Sequence, residues 1–185
     1  MPANKSNGFT LIELVIGIIV FSIALTMFTS LIVPQAIRSV DPIFQVRASE
    51  LGQSLINEIA GKSFDEKSDR TGRSVLCTRT DVPICTASNS LGDEDESRRN
   101  FNDVDDYNGF TMPDINGEFT NALEEPMLLS GVNLYAGFNV SVSVFYDSNF
   151  DGLDDGAIGN SKLIIVTVTT PNDEKIIFST FRSNY

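Results

Sequence analysis

The chain has 185 residues, a formal charge of -12 at pH 7 and no histidine. Its length leaves room for one modest globular domain once a membrane segment is subtracted, and its acidic balance excludes nucleic acid as a partner, because phosphate contacts need a Lys/Arg surface. Without histidine, the commonest general base and the commonest zinc ligand are both missing, so an enzyme is not expected.

Residues 1–8, MPANKSNG, form a short polar leader with one basic residue, Lys5. From Leu14 to Val33 the run LVIGIIVFSIALTMFTSLIV carries no charge. About twenty residues at roughly 1.5 Å each match a hydrocarbon core of ~30 Å, so this segment can span a bilayer. It is too long for the apolar region of a secretory signal peptide, which covers roughly 7 to 15 residues. A plain membrane anchor leaves Glu13 unexplained. A charge well inside a membrane helix costs on the order of 2.5 to 3.5 kcal/mol, which makes Glu13 a functional residue by expectation. Lys5 keeps the leader on the cytoplasmic side and sends the remainder across the membrane.

The string GFTLIELV, Gly8 to Val15, resembles the prepilin cleavage and methylation motif of type IV pilins and of the pseudopilins of type II secretion. The resemblance implies cleavage after Gly8 by prepilin peptidase and N-methylation of the new terminus, Phe9. It also implies that Glu13 acts in filament assembly, as counter-charge to the terminal amine of an adjacent subunit. The physics of the positions agrees: Gly8 has no Cβ to obstruct a protease approaching an extended backbone. Thr10 matches the motif too, but an early-helix threonine satisfying local backbone groups accounts for it equally well.

Beyond the transmembrane helix, 9–33, residues 34–61 read as an amphipathic second half of the same helix. Phe44, Ala48, Leu51, Leu55 and Ile59 recur at helical spacing and define a face to pack on a sheet. Pro34 and Pro42 interrupt the join, as a kink or as a boundary between separate helices. Residues 62–130 hold no sustained period and read as an irregular connecting loop. Cys77 and Cys85 lie close together there in an exported chain and are expected to form one disulfide, the alternative being two free thiols. Residues 131–185 read as antiparallel sheet: Val140, Val142, Val144 and Tyr146 alternate with Ser141 and Ser143, and KLIIVTVTT and EKIIFSTFR are strands joined at Pro171-Asn172-Asp173. The expected class is α+β, a long N-terminal helix packed on a C-terminal β-meander, which is the type IV pilin architecture.

The strings RSVDPIFQVRASELGQSLINEI, KSFDEKSDR and FNDVDDYNGF, with the two cysteines, are similar to the D-type minor pilins of the mannose-sensitive haemagglutinin (MSHA) pilus. That likeness implies a structural or assembly subunit supporting adhesion, biofilm formation or surface motility, the alternatives being a pseudopilin or a membrane-tethered enzyme or binding protein. It implies as partners other pilin subunits, prepilin peptidase, the inner-membrane assembly machinery and the membrane. The subunit is then single-pass in the inner membrane with its C-terminal domain periplasmic, and later extracellular in the pilus.

No cofactor is required by this reading, but one loop suggests Ca2+. Asp147, Asn149 and Asp151 stand at alternate positions before Gly152 in a D-x-N-x-D-G string, with the Leu153 carbonyl and Asp155 as further oxygens. Ile158 replaces the bidentate glutamate of an EF-hand, so the alternative is an acidic, hydrated hairpin. The run Asp103 to Gly109 matches the pattern less well and reads first as a capped turn.

Overall fold

The computed structural model describes residues 10–38, 41–68, 76–81, 84–113 and 117–185. Two compact units divide the chain, Met1–Ile43 and Phe44–Tyr185. In the first, the uncharged run forms α1 (Leu11–Arg38), and every described side chain from Leu11 to Ser30 is exposed. Mean hydropathy over Leu11–Ser30 is 2.6, enough by length and composition to cross a membrane. Pro34 falls within α1, and Pro42 is the second residue of α2 (Asp41–Ala60), in a first turn where no backbone donor is required.

The second unit is built on the expected face of α2. Ala48, Leu51, Leu55 and Ile59 are all buried, Phe44 is half-buried against the same core, and Ile56 joins them. Gly52 sits on this face because the sheet comes too close for anything larger: a Cβ there would overlap the ring of Phe178. The sheet has the order β1-β4-β5-β6, with β1 Thr111–Met112, β4 Asn139–Tyr146, β5 Ser161–Thr169 and β6 Lys175–Ser183. Its three long strands are the expected meander, in the register Val140↔Val168 and Val166↔Phe178. Alternation of β4 buries Val140, Val142, Val144 and Tyr146 and leaves Asn139, Ser141 and Ser143 exposed. A small hairpin of β2 (Leu128–Leu129) and β3 (Val132–Asn133) stands apart from the main sheet. The α+β class expected from the sequence holds.

The connecting region is more organised than its composition suggests. Among the described residues it contains β1, which pairs with β4, and three short 3-10 turns at Ser88–Ser90, Arg98–Asn100 and Asp105–Tyr107. It also contributes Phe101, Val104, Tyr107, Met112 and Phe119 to the main core. Arg98 ties this region to α2: its Nη2 lies 2.7 Å from Glu58 Oε2, its Nη1 donates to the Thr120 carbonyl at 2.6 Å, and its guanidinium stands 5.0 Å from the Phe110 ring centre. Tyr107 donates its hydroxyl to Glu58 Oε1 at 2.7 Å, and burial, then that bond, raise its pKa. With Nε also donating to Glu58 Oε1 at 3.2 Å, every nitrogen of the buried guanidinium has an acceptor, which is the condition for such a group to be tolerated.

Candidate functional site

Gly8 and Phe9, the expected cleavage and methylation residues, lie outside the described residues. The site begins at Thr10, the residue before α1, whose Oγ1 accepts a hydrogen bond from the backbone N–H of Glu13 at 3.4 Å. Thr10 therefore caps the helix, satisfying one of the orphan donors of its first turn. Glu13 occupies the third helical position, the place where a carboxylate favours the positive end of a helix dipole. This local bond is the ordinary account of Thr10. Glu13 itself is set at the end of α1, in the first turn of an otherwise apolar and exposed helix.

Four hydroxyls inside the apolar run were not singled out by sequence reasoning, and the structure explains how they are accommodated. Ser22 donates to the Ile18 carbonyl at 2.8 Å, Thr26 to Ile23 at 2.8 Å, Thr29 to Leu25 at 3.0 Å and Ser30 to Met27 at 2.8 Å. Each is satisfied within its own helix, as an environment without water demands. The signal was present as a Ser/Thr spacing of four, three and one.

The expected disulfide joins Cys77 to Cys85, with Cα atoms 4.8 Å apart. Both residues are buried and pack with Phe64 and Tyr146 in a second, smaller core. Asn184 Nδ2 donates to the Cys77 carbonyl at 2.8 Å, so a residue just beyond β6 is fastened to the bridged loop. Among the described residues, Asp65, Cys77 and Cys85 are the one group of three acidic or cysteine side chains whose donor atoms gather within 4.8 Å. Both sulfurs there are consumed by the disulfide, leaving no thiolate for a metal.

The structure brings the proposed calcium residues into one tight loop between β4 and β5. Asp147, fully buried, accepts from the N–H of Asp151 at 3.1 Å and of Gly152 at 2.9 Å. Asp151 Oδ1 accepts from Leu153 N–H at 2.9 Å, and Asp155 Oδ2 accepts from Ser148 N–H at 2.8 Å. Asn149 Nδ2 donates to Asp151 Oδ2 at 3.1 Å. Gly152 has φ +82°, which suits a residue without a Cβ and makes the sharp turn. In this arrangement the carboxylates serve the loop's own backbone donors.

The decisive comparison concerns the amino terminus. Residues 3–29 match the family model of the prokaryotic N-terminal methylation motif. The chain is type IV pilin-like at that end, and its apolar helix and antiparallel sheet are consistent with the type IV pilin fold. Proteins carrying the motif are structural rather than enzymatic, associate with other pilins and meet the prepilin peptidase in a membrane-associated assembly system. No curated protein and no solved structure matches the chain.

Proposed function

We propose that this chain is a minor pilin, a structural or assembly subunit of an MSHA-like type IV pilus that supports adhesion, biofilm formation or surface motility. The methylation motif over residues 3–29 supports the pilin-like part of this reading, and the likeness of RSVDPIFQVRASELGQSLINEI, KSFDEKSDR and FNDVDDYNGF to D-type MSHA minor pilins supports the rest. Its support is the joining of that motif to an exposed apolar helix and, further along the chain, to a helix-on-sheet domain closed by a disulfide. In this role the chain is cleaved after Gly8, methylated on Phe9 and held in the inner membrane with its C-terminal domain periplasmic, before entering an extracellular fibre. Glu13 then pairs with the terminal amine of a neighbouring subunit, which relieves the cost of holding a carboxylate in lipid. We propose further that the loop of Asp147, Asn149, Asp151, Leu153 and Asp155 takes up calcium outside the cell. The alternation of its oxygens before Gly152 supports this, and a carboxylate that accepts a backbone N–H still has lone pairs left for an ion.

The reading is tested by removing the chain from its host and scoring surface fibres and secreted enzymes separately. Loss of fibres with secretion intact supports the pilus. Loss of secretion with fibres intact assigns the chain to a type II secretion pseudopilus instead. Glu13→Val is expected to insert into the membrane at least as well as the parent, yet to be depleted from sheared filaments when the native copy is deleted. Equal recovery of variant and parent in those filaments would remove the charge-pairing role.

A further inference from the structure

Deeply buried charges of the second unit find partners within it: the Nζ of Lys162, on β5, lies 2.7 Å from Asp105 Oδ1 and 3.3 Å from Asp65 Oδ2, and Arg98 meets Glu58. What the unit leaves uncovered is apolar, and one stretch differs from the rest. From Pro126 to Tyr146 the chain has no charged residue, although it is acidic as a whole. Within that stretch the β2–β3 hairpin exposes Leu128 at 56%, Leu129 at 64% and Val132 at 67%. Leu129 and Val132 stand opposite each other beside a turn at Ser130 and Gly131. Successive strand residues point to opposite faces, so Leu128 and Leu129 make the hairpin apolar on both sides.

The root of the hairpin is tied to the start of α2. Arg47 Nη1 donates to the Leu134 carbonyl at 3.1 Å, and Phe138, just before β4, meets Phe44 edge-on with ring centres 5.8 Å apart. Val46, on the same turns of α2, is exposed as well. From there β4 runs for 8 residues, roughly 25 Å, which sets the acidic loop from Asp147 at the other end of the sheet. The covalent chain decides which end stays near the membrane. Only residues 34–43 separate the uncharged run of α1 from Phe44, and even fully extended they reach no more than about 40 Å. The hairpin therefore belongs to the end of the sheet that is tethered most closely to α1.

We propose that the β2–β3 hairpin is a second membrane contact, with Leu128, Leu129 and Val132 entering the interfacial layer of the bilayer that α1 crosses. The proposal rests on the reading of α1 as a membrane span. Lipid fits this surface better than a protein partner does, because a partner laid on one face of the hairpin leaves the leucine of the other face in water, whereas acyl chains surround the tip. The hairpin is only two strands wide, and its open edges carry backbone groups that need water, so insertion stops in the hydrated interface. A net charge of -12 gives the chain no attraction to anionic headgroups, and the contact is apolar in origin.

The chain contains no tryptophan, so a single introduced indole reports its own surroundings. Leu129→Trp, Leu153→Trp and Phe21→Trp are each made in the full-length chain and reconstituted in phosphatidylcholine vesicles, with bromine carried either near the headgroup end or at the middle of the acyl chains. Leu153, 68% exposed in the loop after β4, is the control for an apolar residue at the far end of the sheet. Leu129→Trp should shift to the blue and lose emission to the shallow bromine more than to the deep one. Phe21→Trp should be quenched most by the deep bromine, and Leu153→Trp by neither. If Phe21→Trp is not quenched, the membrane reading of α1 fails and the hairpin contact goes with it. If Phe21→Trp is quenched and Leu129→Trp is quenched no more than Leu153→Trp, the anchor stands and the hairpin contact alone is overturned. A blue shift at Leu129→Trp without quenching would assign the hairpin to another protein subunit and equally overturn the lipid contact. Adding Leu128→Asp and Val132→Asp to Leu129→Trp should return its emission to the level of the Leu153→Trp control. Quenching that survives them would trace the contact to the introduced indole and not to the native side chains, which also overturns the proposal.

Discussion

The membrane helix and the domain after it both hide polar groups, and they do so over different distances along the chain. In α1, Ser22, Thr26, Thr29 and Ser30 find their acceptors three or four residues away. In the domain, Arg98 meets Glu58 across 40 residues, and Lys162 meets Asp105 across 57 and Phe64 across 98. Lipid offers an isolated helix no distant partner, so each hydroxyl must be settled within its own turn. A folded domain can bury a full charge only by gathering groups from several segments.

The contrast breaks most visibly at Lys162. Lys162→Met removes the one cation from between Asp65 and Asp105 and is expected to cost about 3–5 kcal/mol, the cost of stranding buried charge. Urea unfolding of the full-length chain in detergent reads the loss. Adding Asp65→Asn and Asp105→Asn to the same variant should restore much of it, because a neutral cluster needs no counter-ion. A combined variant no better than the single one would mean that Lys162 acts through packing rather than charge.

The acidic hairpin is the domain's own example of a local solution, since Asp147, Asn149, Asp151 and Asp155 serve donors within seven residues. Calcium at ten times its dissociation constant should stabilise the native state by about 1.4 kcal/mol. The thermal midpoint should climb as calcium rises through the millimolar range and stay fixed in chelator. Asp147→Asn with Asp151→Asn should abolish the climb, and an equal climb in that variant would place the ion elsewhere. The smallest effect belongs to α1. Ser22→Ala with Thr26→Val should alter membrane integration by no more than about 0.5 kcal/mol each, as for substitutions that strand no partner. A larger change in an insertion assay would mean that these hydroxyls bond beyond their own helix.

The same distinction decides what could be read from the sequence. The face of Ala48, Leu51, Leu55 and Ile59, the alternation of β4 and the turn at Pro171-Asn172-Asp173 are patterns of nearest neighbours, and each is present as read. The run around Asp103 was legible as a capped turn for the same reason. Its burial was not, because nothing in Asp103-Val104-Asp105-Asp106 announces a lysine 57 residues beyond Asp105. Lys162 in turn opens the strand KLIIVTVTT, and nothing in that run marks it as buried. Glu58 and Arg98 were hidden likewise, since nothing in the chain order pairs two charges 40 residues apart that the fold brings to 2.7 Å. The connecting region lacked periodicity because its core residues are set singly between turns, as Phe101, Val104, Tyr107 and Met112 are.

Lys162 also imposes an order on how the domain comes into being. A chain is synthesised from its amino end, so Asp65 and Asp105 exist well before the cation that neutralises them, which follows Asp105 by 57 residues. Until β5 emerges, those two carboxylates have no Lys162 to be buried against. A chain interrupted before Lys162 therefore lacks both the cation that Asp65 and Asp105 need when buried and the strand that carries it.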